Sequence, residues 1–109
     1  MEDKNERERI KSITESSVKQ SINRYLKGKT DCYFFPYNPY GGTAGVADKI
    51  GCHSGRFIAI EVKRPSLRDT KNGGLSPAQQ VFRERIIQIG GVYILAYSVK
   101  EVKDYFESA

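Results

Sequence analysis

Two cysteines, a single histidine and no apolar run of membrane-spanning length set the first limits on this chain of 109 residues. Cys32 and Cys52 are too few for a disulfide framework, so in a reducing compartment they are expected to be buried small apolar residues, and no zinc centre is expected. A bilayer-spanning helix needs roughly 20 apolar residues, and no stretch approaches that. Met1 to Lys11 is dense in both charge signs and lacks the apolar segment of a signal peptide, which predicts a cytoplasmic protein. There is no internal repeat, no low-complexity segment and nothing resembling a base-reading module.

The composition that is present is that of one soluble domain spanning residues 1–109. Hydrophobic residues are 39% and charged residues 28%, ordinary for a globular chain with a single modest core. A formal net charge of +5 and a pI near 9.3 favour an anionic partner, although basicity alone does not name it.

Hydrophobic periodicity orders the elements. From Thr14 to Lys27, Val18, Ile22, Tyr25 and Leu26 recur at helical spacing and Gly28 closes the helix, with residues 1–11 either extending it or fraying. Asp31 to Tyr37 is aromatic-rich and strand-like, and Asn38 to Gly45 reads as a loop. Gly45–Gly51 and Arg56–Lys63 read as two strands joined through a hairpin connection at 51–55, and Pro65–Gly74 as a polar, basic loop. Ser76-Pro-Ala-Gln79 has the form of a capping box with proline at the first helical position, opening a helix with Phe82, Ile86 and Ile89 as its apolar stripe. Val92–Tyr97 reads as a buried strand, and Ser98 with Glu101 as a second capping box before a helix that buries Val102, Tyr105 and Phe106. The expected fold class is α/β, a mixed sheet flanked by helices in the order α-β-β-β-α-β-α.

The chemistry concentrates in Arg56-Phe-Ile-Ala-Ile-Glu-Val-Lys63. Residues two apart on a strand share a face roughly 7 Å apart, so Glu61 and Lys63 project to one side while Ile58, Ile60 and Val62 pack on the other. An isolated Glu-x-Lys is most simply an ion pair on an exposed strand. Asp48 changes that reading, because the preceding strand brings a second carboxylate toward Glu61. Two close carboxylates repel unless a cation sits between them, and oxygen ligands suit Mg²⁺ or Mn²⁺. Glu15 shares a helical face with Val18 and Ile22 and needs a partner there. Arg64, Arg68 and Lys71, in the following loop, are suited to contact phosphates. His53 is expected to be a solvated residue of the hairpin tip. Tyr33, Tyr37, Tyr40, Tyr93 and Tyr97 read as strand packing, and Arg83 and Arg85 as a solvated helix face or DNA contacts.

The ordered set Gly45-Val-Ala-Asp48, Phe57-Ile-Ala-Ile-Glu61-Val-Lys63, Leu75-Ser-Pro-Ala-Gln79 and the helix running into Gly90-Gly91 resembles the VRR-NUC family of the PD-(D/E)XK nuclease superfamily. The resemblance covers roughly Glu15 to Glu107. It departs at Ala47, where the family usually has a proline that shapes backbone and performs no chemistry. The resemblance implies a restriction-endonuclease-like fold with Asp48, Glu61 and the backbone carbonyl of Val62 ligating Mg²⁺, for which Mn²⁺ can substitute. It further implies that Lys63 positions or deprotonates the attacking water, that Glu15 completes the site, and that Gln79 faces it. Gln79 also has a capping role to fill, and the two are compatible.

The function so implied is a Mg²⁺-dependent, structure-selective DNA endonuclease, a Holliday-junction resolvase acting as a homodimer on branched DNA. A twofold dimer supplies the two symmetric cuts that a single small domain cannot. The alternatives are a flap- or single-strand-specific nuclease of the same superfamily and a non-catalytic DNA-binding module, against which the intact Asp48, Glu61 and Lys63 argue.

Overall fold

The computed structural model describes residues 4–37 and 44–108. Tyr40 and most of the predicted glycine-rich loop lie outside the described residues. The elements are α1 (Lys4–Ser12), α2 (Glu15–Lys27), β1 (Cys32–Pro36), β2 (Lys49–His53), β3 (Arg56–Val62), α3 (Pro77–Gln88), β4 (Val92–Ala96) and α4 (Val99–Ser108), with two short 3-10 turns between β3 and α3. The predicted order is therefore present with one helix added in front. The charged segment before Thr14 neither frays nor extends α2, because Thr14 is extended and caps α2 by accepting from the Ser17 amide.

The four strands form one mixed sheet in the order β1-β2-β3-β4. β1 and β2 are antiparallel, β2 and β3 are antiparallel, and β3 runs parallel to β4. A parallel pair needs a crossover, and α3 supplies it. The β2–β3 turn is narrower than the sequence suggested: only Ser54 and Gly55 lie outside the ladder. Both have positive φ, the two-residue geometry whose twist matches the flanking strands. Conversely, β2 begins at Lys49, so Asp48 stands on the approach to the strand rather than within it.

Strand alternation assigns the two faces as expected. Ile58, Ile60 and Val62 of β3, with Ile94 and Ala96 of β4, meet Val18, Ile22 and Leu26 of α2 and Val102 of α4 in the core. Ala59 and Glu61 point to the opposite face, where α3 lies, and Phe82 of α3 meets Tyr93 of β4 edge-on. Gly51 lets Phe34 into the core, since a Cβ there would lie 2.6 Å from the Phe34 ring.

Four expectations are corrected by this layering. Cys52 is exposed and Cys32 only half-buried, because α3 does not reach the part of the sheet that carries Cys52. Tyr33 is 74% exposed on that same uncovered face, beside Phe35 and Phe57. Ile89 is likewise 74% exposed, standing at the C-cap of α3 past the end of its apolar stripe. His53 belongs to β2 rather than to the hairpin tip. It is packed edge-on against Phe106, with Nδ1 3.2 Å from the Tyr105 hydroxyl and Nε2 3.4 Å from Asp31.

Candidate functional site

The site forms where the approach to β2, the end of β3 and the first turn of α3 converge. The β2–β3 register pairs Lys49 with Ile60, so the next residue out, Asp48, falls beside Glu61. Each acid accepts from backbone of the other's segment: the Asp48 amide donates to Glu61 Oε2 at 3.3 Å, and the amide of Val62, next to Glu61, donates to Asp48 Oδ2 at 2.7 Å. Gly45 makes this approach feasible. It has φ +81° and lies so close to α3 that a Cβ would stand 2.3 Å from the Ala78 carbonyl oxygen.

Gln79 joins the third element. Its Oε1 accepts from the Ser76 amide at 2.8 Å, completing the capping box, while its Nε2 donates to Glu61 Oε1 at 2.7 Å. Capping and site contact thus use opposite ends of one amide, and both readings of Gln79 describe real contacts. The Ser98 cap differs: the Glu101 carboxylate accepts from both the amide and the hydroxyl of Ser98, while that hydroxyl accepts from the Lys100 amide instead of the Glu101 amide.

Glu61 is only 3% exposed, the one buried charged residue among those described. Burial, reinforced by the neighbouring Asp48, pushes its carboxyl up to about 8, with Lys63 pulling weakly in the opposite sense. For Asp48, burial opposes ionisation but is outweighed by the hydrogen bonds from Glu61 and the Val62 amide and by the charge of Lys19, so its carboxyl is held below the usual range. The pair therefore carries one shared proton at neutral pH when no cation separates it.

Lys19 is the site residue the sequence reading missed. Its ammonium lies 3.3 Å from Asp48 Oδ1 and 3.2 Å from Glu15 Oε2. Glu15 is thus connected to Asp48 through Lys19 rather than turned directly onto the carboxylate pair. The available signal was the Glu15-to-Lys19 spacing of four on a helix, which is common on solvated faces and so easily passed over. Beside Asp48 opens a cavity of about 220 Å³ whose walls include Lys19, Asn23, Tyr37 and Lys49. On the other side of Glu61, the Tyr93 hydroxyl is buried with no hydrogen-bond partner among the described residues, which strand packing alone does not explain.

The remaining predicted residues divide. Lys63 follows β3, is half-buried, forms no ion pair among the described residues and acts on Glu61 electrostatically. Arg64 and Lys71 are exposed. Arg68 pairs with Glu101 at 2.7 Å and lies over the Tyr97 ring, so part of its role is structural. Of Val62, the recorded site contact is its amide on Asp48. Arg83 is half-buried and Arg85 exposed.

Whether these groups suit a divalent cation follows from their donor chemistry. Among the described residues no three His, Cys, Asp or Glu side chains converge. Mg²⁺ does not need such a cluster: it keeps several waters and is held by one or two carboxylates plus substrate phosphates. Two oxygen-donor carboxylates forced to share a proton fit that demand. Among the described residues no helix is long and apolar enough to cross a membrane. Compared with protein-family models and with curated proteins, the chain matches none.

Proposed function

We propose that this chain is a metal-dependent DNA endonuclease with a restriction-endonuclease-like fold of the VRR-NUC type. The observation that carries the reading is the Asp48–Glu61 pair, drawn together by reciprocal backbone hydrogen bonds and oriented by Gln79, at the end of the strand that leads into Lys63. A structural ion pair has no use for two mutually repelling carboxylates in a largely buried position. The β2–β3 hairpin followed by the α3 crossover to β4 is also the arrangement that the family resemblance implies.

In this reading Asp48, Glu61 and the Val62 backbone carbonyl hold Mg²⁺ or Mn²⁺. Such an ion lowers the pKa of water and neutralises phosphate oxygens. The chain's own groups do the rest. Gln79 fixes the orientation of Glu61 by donating to one oxygen and leaving the other toward Asp48. Lys63, which forms no ion pair among the described residues, orients the attacking water and offsets the charge that develops on the phosphate. Lys19 balances Asp48 when no other cation is present and is well placed to contact a phosphate once displaced. Arg64 and Lys71, exposed just beyond the strand, extend the positive surface along the backbone of the DNA.

Holliday-junction resolution by a homodimer remains the substrate reading we favour within this class. The uncovered face carrying Tyr33, Phe35 and Phe57 supports self-association, because contiguous exposed aromatics mark interaction surfaces. The test is cleavage of a labelled panel of four-way junction, flap, duplex and single strand, with and without Mg²⁺, by wild type and Lys63→Ala. Symmetric metal-dependent nicks in the junction, absent in the variant, support the resolvase. Cleavage confined to flaps or single strands keeps the chemistry and replaces the substrate. Tight binding with no metal-dependent cleavage of any DNA makes the chain a binding module.

A further inference from the structure

The cavity beside Asp48 is not the only one among the described residues. A second and larger one is a groove of about 670 Å³ between α1, α2 and the 3-10 turn that follows β3. Its size is that of a ligand site, for which roughly 300–1,000 Å³ is usual. Ile10, Ile13 and Pro65 contribute apolar surface to it; Arg7 and Lys11 bring positive charge, Arg9 and Arg68 are engaged by Glu6 and Glu101, and Asp69 is the one carboxylate in the lining.

Three observations bear on what it holds. Arg7 and Lys11 line the groove, are exposed and form no ion pair among the described residues, so an anionic group can reach both charges. Helix α1 has nine residues and buries none of them, too short and too polar to be stable by propensity or by core packing. It stands against the turn after β3 as the wall of a groove. The groove and the cavity beside Asp48 both border α2 without sharing a lining residue: Ser17, Val18 and Ser21 line the groove, Lys19, Ile22 and Asn23 line the cavity, and Pro65 lies two residues beyond Lys63.

We propose that this groove binds an unpaired nucleic-acid strand, its phosphates on Arg7 and Lys11 and its bases against Ile10, Ile13 and Pro65. A cationic rim with an apolar floor is what a single strand needs, since bases turned out of a duplex require apolar contact and phosphates require charge. A paired duplex hides its base faces and would use only the rim. That the strand leads toward Asp48 and Glu61 rests on the nuclease reading; the binding itself does not.

The experiment is fluorescence anisotropy with a labelled oligothymidine and with a duplex of equal length, in EDTA so that cleavage plays no part. Wild type is compared with Arg7→Glu/Lys11→Glu, both positions being exposed, with thermal denaturation to verify the fold. Oligothymidine is expected to bind more tightly than duplex. The variant is expected to lose on the order of tenfold in affinity and to flatten the salt dependence by about 1.4 in log–log slope, roughly 0.7 per neutralised phosphate. Unchanged binding in the variant overturns the proposal. Equal binding of duplex overturns the single-strand assignment, and equal binding of a polyglutamate peptide reassigns the groove to an acidic protein segment. Strand binding lost in the variant, in a protein that cleaves nothing with Mg²⁺, sustains this inference while removing the nuclease reading.

Discussion

One side-chain amide, that of Gln79, spans the helix cap and the carboxylate site, accepting from the Ser76 amide at 2.8 Å and donating to Glu61 at 2.7 Å. The two functions separate by mutation. Ser76→Ala and Gln79→Ala are each expected to cost about 1 kcal/mol of stability through the lost cap. Only Gln79→Ala releases Glu61, so only it should weaken Mg²⁺ affinity and slow cleavage. Chemical denaturation beside a metal titration checks this, and equal metal affinity in both variants would show that Gln79 is a cap alone.

Glu61 gives the metal-free protein a pH dependence of defined sign. Its carboxyl is raised in the folded state from an ordinary 4.5 to about 8, chiefly by burial, so between those values the native chain binds more proton than the unfolded chain. Stability from this group is therefore complete below 4.5 and declines as pH rises through about 8, by on the order of 1–3 kcal/mol. Asp48, held low, contributes with the opposite sign, its share being lost as pH falls below the usual carboxylate range. Thermal denaturation in EDTA should show this decline between about pH 4.5 and 8, and Glu61→Gln should abolish it. Saturating Mg²⁺ should restore stability at pH 8, since an ion that binds only the folded form stabilises it.

The two lysines of the site are expected to behave differently. Lys63 makes no ion pair among the described residues, so Lys63→Ala should change stability by less than about 0.5 kcal/mol. If it orients the attacking water, the same change should slow cleavage by roughly 10²–10⁴ with metal affinity retained. Lys19 pairs with Asp48, one of the two carboxylates proposed to hold the metal ion. Lys19→Gln should therefore tighten Mg²⁺ binding to the metal-free protein, as read by calorimetry. Weaker binding in Lys19→Gln would mean that Lys19 organises Asp48 rather than competing for it.

Much of this arrangement was legible from local signals. The cap at Ser76, the β3 alternation that separates Glu61 from Ile60, and the stop at Gly28 each depend on residues within one or two turns of each other. The convergence of Asp48 with Glu61 was also legible, because a hairpin converts sequence spacing into register. What was not legible depended on which surface covers which. Cys52 and Tyr33 are exposed because α3 lies over β4 and leaves the far strands bare, and nothing in their own neighbourhoods encodes that. His53 packs on Phe106, 53 positions away, and Lys19 meets Asp48 through the placement of α2 against the sheet. Helix α1 carries so little apolar periodicity that a sequence pattern distinguishes it poorly from a frayed extension.

Gly45 offers the sharpest test of how the site is assembled, because it touches none of the proposed chemistry. Its φ of +81° disfavours any side chain, and a Cβ would also meet Ala78 oxygen at 2.3 Å and the Gln79 amide nitrogen at 2.9 Å. Both obstacles are backbone, so rotamer adjustment gives no relief. Gly45→Ala should push the approach to β2 away from α3, and with it Asp48 away from Glu61. A loss of about 1–3 kcal/mol in stability is expected from strain alone. The informative quantity is metal affinity under conditions where the variant is folded. If α3 docking aligns the pair, Mg²⁺ affinity falls together with the Glu61-dependent pH profile. If affinity survives while stability drops, the reciprocal bonds between Asp48 and the Glu61–Val62 segment hold the pair without help from α3.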